Sequence, residues 1–279
     1  MTASSKPSGE IQAMRWLDLT FATPAENLAC DEALLDLCEE AGVEILRCWE
    51  SREPFVVVGY GNRVASEVNV EECRRRGVPI LRRCSGGGTV VQGPGCLNYS
   101  LTLRMAESGP LATVTGTNEF VMERNRAALE KLLGVPVSVQ GHTDLALEKL
   151  QSSQPRVEGP QPSPANQLST LNSPPAWLKF SGNAQRRRRH SLVFHGTILH
   201  RFNLSLIDAL LRFPSQQPGY RSGRSHIEFV RNIPATSEQI REHLRREWRA
   251  ENSLPTFPQE RLEPLLRDHY LNDAWNLSR

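Results

Sequence analysis

The sequence predicts a fold of the α+β class. Strand-like apolar runs lie close together at 44–49 and 54–60, and again at 137–140 and 144–147. Runs of neighbouring strands favour an α+β arrangement over alternating strand–helix–strand units. The 279 residues, 39% of them hydrophobic and 23% charged, are enough for one substantial core or two small ones.

The elements of the first half follow from the spacing of apolar side chains. Residues 25–40 have apolar residues near helical spacing with acidic residues between them, which predicts an amphipathic helix. Residues 44–49 and 54–60 are predicted strands, the second a continuous apolar run that ends in a glycine pair. A short helix is predicted at 70–76, where Gly77 is suited to end it.

The second half continues with both kinds of element. A helix is predicted from residue 118 to residue 133. Gly134 and Pro136 are suited to end it. The other predicted elements are strands at 137–140, 144–147 and 192–199, and helices at 205–211, 236–249 and 259–270.

One segment interrupts this pattern. Residues 149–176 are rich in proline, serine and glutamine and contain few large apolar residues. Such a stretch buries too little surface to offset the entropy lost on ordering. We interpret 149–176 as a disordered insertion within one domain, with an ordered lid as the alternative. Residues 1–12 are predicted to be a flexible N-terminus, and 13–279 a single domain.

The composition, the net charge and the cysteines indicate which cellular environment and which partners to expect. A net charge of +2 does not indicate a nucleic-acid or membrane partner. The polar N-terminus does not resemble a secretory signal, and no apolar run approaches the ~20 residues of a membrane helix. The six cysteines lie in the first hundred residues without a Cys-x-x-Cys pair, which favours reduced thiols. A cytoplasmic protein with no nucleic-acid or membrane partner is expected.

Two segments carry the strongest chemical signal. Residues 82–91 read RRCSGGGTVV, and residues 179–185 read KFSGNAQ. Consecutive glycines let a backbone approach a ligand closely, paired arginines suit a carboxylate or phosphate, and a lone lysine beside a small-residue turn can reach an anionic atom. These segments predict a site for an anionic, adenylated acyl compound. The alternatives are a glycine bulge or tight turn and a solvated lysine.

The chain resembles the lipoate-protein ligase A family in four stretches: 82–100, 179–199 with FHGTIL at its end, NLACDEA at 27–33 and GHTDLAL at 141–147. That family belongs to the biotin/lipoate protein ligase and octanoyltransferase superfamily. The resemblance covers about residues 16–276 and implies a catalytic domain with a mainly antiparallel or mixed sheet flanked by helices. It also implies that the small C-terminal accessory domain of many such ligases is missing, so a separate accessory-domain protein is a candidate partner.

The resemblance implies a reaction as well as a fold. ATP, accompanied by Mg²⁺, would activate lipoate or octanoate to acyl-AMP. The acyl group would then pass to a lysine of lipoyl domains in 2-oxoacid dehydrogenase or glycine cleavage proteins. Lys179 is the implied catalytic residue, Asp144 the candidate metal-linked carboxylate, and the remaining candidates for substrate and nucleotide binding are Arg83, Ser85, Gly86, Gly87, Gly88, Thr89, Val90, Val91, Gly182 and His195.

Two other functions remain open at this stage. Octanoyltransferases work through a cysteine thioester without ATP, yet residues 97–279 contain no cysteine. Cys84 and Cys96 flank the glycines and are interpreted as buried fillers, although the GPG sequence at 93–95 is similar to the transferases. A non-catalytic family member is the other alternative.

Two further features of the sequence concern the acyl chain and the acceptor protein. An apolar acyl tunnel is expected, with Val56, Val58, Gly59, Val91 and Ala184 as candidate lining residues or ordinary core residues. The run of arginines at 186–189 is expected to dock an acidic lipoyl domain or to form a solvated turn rather than to bind nucleic acid.

Overall fold

The computed structural model describes residues 14–149, 176–214 and 217–278, and two sheets organise them. The larger sheet has eight strands in the order β11-β1-β2-β6-β10-β9-β8-β7. Its strands are β1 (Arg15–Asp18), β2 (Ile45–Trp49), β6 (Cys96–Arg104), β7 (Ser138–Gln140), β8 (Asp144–Glu148), β9 (Trp177–Arg187), β10 (Ser191–Leu199) and β11 (Asn252–Ser253). Only the pairs of β1 with β2 and with β11 are parallel, so this sheet is mixed and mainly antiparallel, as predicted.

The smaller sheet has three strands in the order β4-β3-β5. They are β3 (Phe55–Val58), β4 (Ile80–Arg82) and β5 (Val90–Gln92). Strand β3 pairs in parallel with β4 and antiparallel with β5. The glycine-rich segment connects β4 to β5, so both of its ends are fixed in this sheet.

Helices flank the two sheets. They are α1 (Pro24–Ala41), α2 (Val64–Glu67), α3 (Val70–Arg76), α4 (Val114–Leu133), α5 (Ser205–Leu210), α6 (His226–Phe229), α7 (Ser237–Glu247), α8 (Leu262–Leu265) and α9 (Asp273–Asn276). Helix α1 begins at a capping box in which Thr23 and Glu26 bond each other's backbone, and it ends at Gly42, which is left-handed. It packs on β6 and β10, while α4 packs against α7.

Three apolar clusters form the core. The first joins the large sheet to α4 and α7, the second joins α1 to the small sheet, and the third joins the small sheet to α3 and α5. Burial of these side chains is the main force that holds the layers together. No helix among the described residues has the length and apolar character needed to cross a bilayer.

The structure corrects two of the predicted elements. The segment 259–270 was predicted as one helix, but it consists of a 3-10 turn at Gln259–Arg261, helix α8 and a π-helical turn at Leu266–Tyr270. Residues 179–185 were predicted as a small-residue turn, whereas they lie inside the eleven-residue strand β9. The predicted N-terminus and most of the 149–176 insertion lie outside the described residues.

Candidate functional site

Residues 85–89, called the glycine loop below, are braced by Arg83. Its guanidinium donates to the carbonyl oxygens of Gly86 at 2.5 Å and Gly88 at 2.8 Å, and its Nε donates to Ser85 Oγ at 3.0 Å. Burial lowers the pKa of Arg83 to about 10, so the side chain stays cationic at neutral pH. Arg83 therefore shapes the loop and puts a positive charge directly behind it.

The loop is also held by residues that follow β3. Asn62 Nδ2 donates to Gly87 O at 3.1 Å and to Thr89 Oγ1 at 3.3 Å. A Cβ on Gly59 would lie 2.1 Å from Gly87 O, so only glycine permits this approach. In the part of the chain that the structure describes, the carbonyls of residues 85–88 thus accept hydrogen bonds, while the amides of Gly87 and Gly88 donate none. Amides in this situation are suited to bind an anion.

Lys179 lies in β9 beside a bulge in the pairing with β8. Its Nζ lies 2.7 Å from Asp144 Oδ1, and Tyr220 Oη donates to Asp144 Oδ2 at 2.8 Å. The lysine side chain is 24% exposed, which leaves it accessible. A Cβ on Gly182 would lie 2.6 Å from Nζ, so the glycine of this motif makes room for the ammonium.

A cavity of about 970 Å³ brings these groups together. Residues of both sheets line it, and Gln217, Pro218, Gly219 and Arg221 also contribute to its wall. Arg83 and Lys179 both line it. The other predicted site residues on its wall are Gly87, Gly88, Thr89, Val90, Val91, Asp144, Gly182 and His195. The guanidinium, the glycine loop and the amine therefore face one space.

Ser85 and Gly86 do not line the cavity, and Gly86 is exposed at the surface. Ser85 is fully buried, and its Oγ lies 2.5 Å from His195 Nε2. Because Arg83 Nε donates to Ser85 Oγ, the serine hydroxyl is free to donate to the imidazole. Ser85 thus connects the loop to β10 and fixes the orientation of the His195 ring.

Asp31 of helix α1 lies on the other side of the His195 ring from Ser85 Oγ, next to Nδ1. Its carboxylate accepts from Arg47 at 2.6 Å and from Ser100 Oγ at 2.8 Å, and it lies 3.8 Å from His195 Nδ1. Burial alone would raise the pKa of Asp31, but Arg47, His195 and Ser100 outweigh it and lower the pKa. The 27–33 motif contains this residue, whereas its partner Arg47 lies in none of the sequence motifs.

The two arginines of the motif have different roles. Arg82 is buried, and its Nη1 donates to the carbonyls of Gly59 at 2.9 Å and Asn62 at 2.9 Å. On its other side it donates to the carbonyls of Trp275 and Ser278. Arg82 therefore links the C-terminal segment to the turn that supports the glycine loop, and Arg83 alone faces the cavity.

The apolar lining differs from the prediction. Val91 and Ala184 line the cavity as predicted. Val56 and Val58 instead belong to the third apolar cluster, because the alternation of β3 directs only Val57 towards the cavity. Gly59 acts through its contact with the glycine loop.

The described residues do not build a protein metal centre. They contain no group of three or more histidine, cysteine, aspartate or glutamate side chains that could hold an ion. Both carboxylate oxygens of Asp144 are engaged by Lys179 and Tyr220. The candidate metal role of Asp144 thus has no supporting ligand set in these parts of the chain.

The six cysteines are all buried. Burial raises the pKa of each thiol, and for Cys84 and Cys96 the rise is large. These thiols are therefore poor nucleophiles at neutral pH.

The arginine run at 186–189 is divided among separate partners. Arg187 donates to the carbonyls of Leu111 and Ala112, Arg188 pairs with Asp36 at 2.6 Å, and Arg186 lies over the ring of Tyr60. Arg187 is thus a structural side chain rather than part of a continuous basic patch.

Residues 23–252 match the model of the Lipoyl protein ligase A/B catalytic domain family, and this range contains every residue of the cavity wall. The chain belongs to this family and is an enzyme of the lipoate ligase and octanoyltransferase superfamily.

An octanoyltransferase LipM of Brevibacillus brevis is 26% identical over 290 residues, which cover 96% of this chain and 100% of that protein. A protein of Aeropyrum pernix with a provisional lipoate-protein ligase A name is 29% identical over 236 residues, 84% of this chain and 74% of its own. In a structure of an archaeal lipoylation system, a bipartite lipoate protein ligase and its E2 lipoyl domain from Thermoplasma acidophilum, one chain has the same fold. It superposes with a TM-score of 0.74 at 20% identity, covering 96% of this chain and 98% of its own.

Proposed function

We propose that this chain is a lipoate-protein ligase that activates lipoate or octanoate with ATP and transfers the acyl group to a lysine of a lipoyl domain. The observation that carries the proposal is the shared cavity of Arg83, the glycine loop and Lys179. Acyl adenylation needs this combination, because a carboxylate and a phosphate, both negative, must be brought into contact.

The charges of the cavity suit such a reaction. The amides of Gly87 and Gly88 can bind phosphate oxygens, and Arg83 supports them with a positive charge that the loop carbonyls already orient. A magnesium ion bound to ATP would be held mainly by phosphate oxygens and water, which agrees with the few carboxylates on the wall. Preorganised charge of this kind stabilises the transition state without reorganisation.

Lys179 must change partners for this role. In the structure its ammonium pairs with Asp144. When an acyl phosphate enters, the lysine can turn towards the new anion, and Tyr220 still satisfies one oxygen of Asp144. Asp144 would thus hold the Lys179 side chain close to the cavity between turnovers.

A transferase that works without ATP is the second candidate, and the extended match to the Brevibacillus brevis LipM favours it. That mechanism needs an acyl-enzyme thioester. The buried thiols with raised pKa weigh against it, since thioester formation requires an accessible thiolate.

One experiment separates the candidates. The purified protein is incubated with a lipoyl domain and either lipoate, ATP and Mg²⁺, or octanoyl-carrier protein alone, and the domain is weighed by mass spectrometry. A mass gain only with ATP supports the ligase, whereas a gain from the carrier without ATP would contradict it. If neither donor gives a gain, even with a separate accessory-domain protein supplied, the non-catalytic alternative is favoured.

A control addresses the thiols directly. The double variant Cys84→Ala and Cys96→Ala removes the two cysteines beside the loop. Retained activity with ATP agrees with the ligase, while loss of activity in a folded variant would favour a thioester.

A further inference from the structure

The inner wall of the cavity carries a group of polar side chains that adenylation does not use. Gln92 of β5, Asn98 of β6 and Thr197 of β10 line the cavity, and each is more than nine-tenths buried. Gln92 Nε2 donates to Thr197 Oγ1 at 2.8 Å, and this hydroxyl donates to Asn98 Oδ1 at 2.7 Å. These three residues are called the inner polar cluster below.

Two atoms of the inner polar cluster have no partner. Gln92 Oε1 and Asn98 Nδ2 are shielded from solvent, and no described residue bonds to either of them. A buried polar atom without a partner is costly, so native proteins usually supply one from the chain, from water or from a ligand. An acceptor and a donor thus remain unpaired on two residues that line a cavity proposed to hold an acyl chain.

The strand register gives the distance from this cluster to the amine. Lys179 Nζ lies over Gly182, where an added Cβ would be 2.6 Å away. Gly182 is paired with Thr197 on β10, and Thr197 is paired with Asn98 on β6. Two spacings between strands make about 10 Å, a length that an extended eight-carbon chain can span. A carboxyl group beside Lys179 therefore puts the far end of such a chain near Asn98.

The residue paired with Asn98 on the neighbouring strand is aromatic. Trp49 of β2 is paired with Asn98, and its side chain also lines the cavity. Sulfur atoms make favourable contacts with aromatic rings and are weak hydrogen-bond acceptors. The inner end thus offers a donor and an indole ring to an acyl chain that ends in sulfur.

We infer that the inner polar cluster determines acyl specificity and selects a lipoyl group, which ends in a disulfide ring, over an octanoyl group, which ends in a methyl. The inference rests on the proposed function, because it requires the acyl chain to occupy the cavity. Asn98 Nδ2 donates to a ring sulfur, and a reduced dithiol can in addition donate to Gln92 Oε1. A terminal methyl leaves both atoms unpaired, and a site built for polar contact rejects a ligand that lacks it.

Equilibrium binding of lipoate and octanoate, measured by calorimetry without ATP or acceptor, tests this inference. The natural protein should bind lipoate about tenfold more tightly than octanoate, because bound octanoate leaves a buried polar group unpaired and such a group weakens binding by about this factor. The double variant Gln92→Met and Asn98→Leu should bring this ratio close to one. Thr102→Val removes another buried polar side chain of β6 that does not line the cavity, and it should keep the natural ratio.

Equal affinities in the natural protein, or a preference for octanoate, would overturn the inference. So would an unchanged ratio in the folded double variant. If the double variant does not fold, the ratio in the natural protein decides alone. A preference for lipoate without any ATP-dependent product would refute only the ligase, whereas ATP-dependent product without the preference would refute only the specificity. Failure to bind either acid would refute both the ligase function and the proposed specificity.

Discussion

Lys179 Nζ lies 2.7 Å from Asp144 Oδ1, and the pair stands on the wall of a cavity that Arg83 also lines. The lysine is thus held by a carboxylate of the neighbouring strand β8 while it faces the space in which an acyl phosphate would form. Its energetic role in the fold is small, because a partly exposed ion pair contributes little to stability.

Replacing this lysine should separate chemistry from folding. Lys179→Ala is expected to lower acyl transfer at least about a hundredfold, because a preorganised cation is lost. The free energy of unfolding should change by about 1 kcal/mol or less. Lys131→Ala, which removes another ion-paired but exposed lysine, should leave activity intact. Mass spectrometry of the acceptor and calorimetric unfolding provide the two readouts, and an active Lys179→Ala protein would refute the assignment.

Gly59 is expected to be essential for the shape of the glycine loop. A methyl group there would meet Gly87 O at 2.1 Å, so Gly59→Ala must displace the loop. We expect destabilisation of about 1–3 kcal/mol, the usual range for overpacking, and a loss of activity. Gly61→Ala is a matched control, since an added Cβ there meets no atom within 4 Å. Equal activity of the two variants would contradict the proposed contact.

Arg82 should contribute to stability far more than an exposed arginine. Arg82→Lys removes several donors from buried carbonyls on both the Gly59 turn and the C-terminal segment. The expected destabilisation is about 3 kcal/mol, because unpaired buried polar groups are costly. Arg75→Lys, at an exposed site on α3, should change stability by less than about 0.5 kcal/mol. Urea unfolding measures the stability of the two variants. Similar unfolding midpoints for Arg82→Lys and Arg75→Lys would show that Arg82 does not link these segments.

Asp31 should make stability depend on pH in the acid range. Burial raises its pKa, but Arg47, His195 and Ser100 together outweigh burial and lower the folded pKa, so Asp31 binds fewer protons in the folded state than in the unfolded state. The stability it contributes is fully present above its unfolded pKa of 3.8 and is lost as pH falls through the lower folded pKa.

Thermal unfolding between pH 3 and 7 checks the sign of this effect. The difference in Tm between the natural protein and Asp31→Asn should be greatest near neutral pH and should shrink below about pH 4. Glu119→Gln, at an exposed carboxylate, should give no such trend. A difference that grows on acidification would contradict the lowered pKa.

The sequence determined the class of the fold and pointed to residues that the structure brings to one cavity, because both depend on local patterns. Helix α3 has its predicted bounds, since a cap residue and a terminal glycine act within a few residues of each other. Arg83, Lys179 and the glycines were also visible as motifs, because close backbone approach and charge need particular residue types.

Contacts between distant segments could not be predicted in this way. The motif contains two adjacent arginines, yet only packing against the C-terminal segment separates Arg82, which is buried among carbonyls, from Arg83, which faces the cavity. Likewise, Tyr220 reaches Asp144 across 76 positions, and the unpaired atoms of Gln92 and Asn98 become evident only once β5, β6 and β10 are assembled. Local sequence patterns identify the candidate reactive groups. The tertiary structure decides which of these groups line the same cavity, because their positions depend on how the two sheets pack.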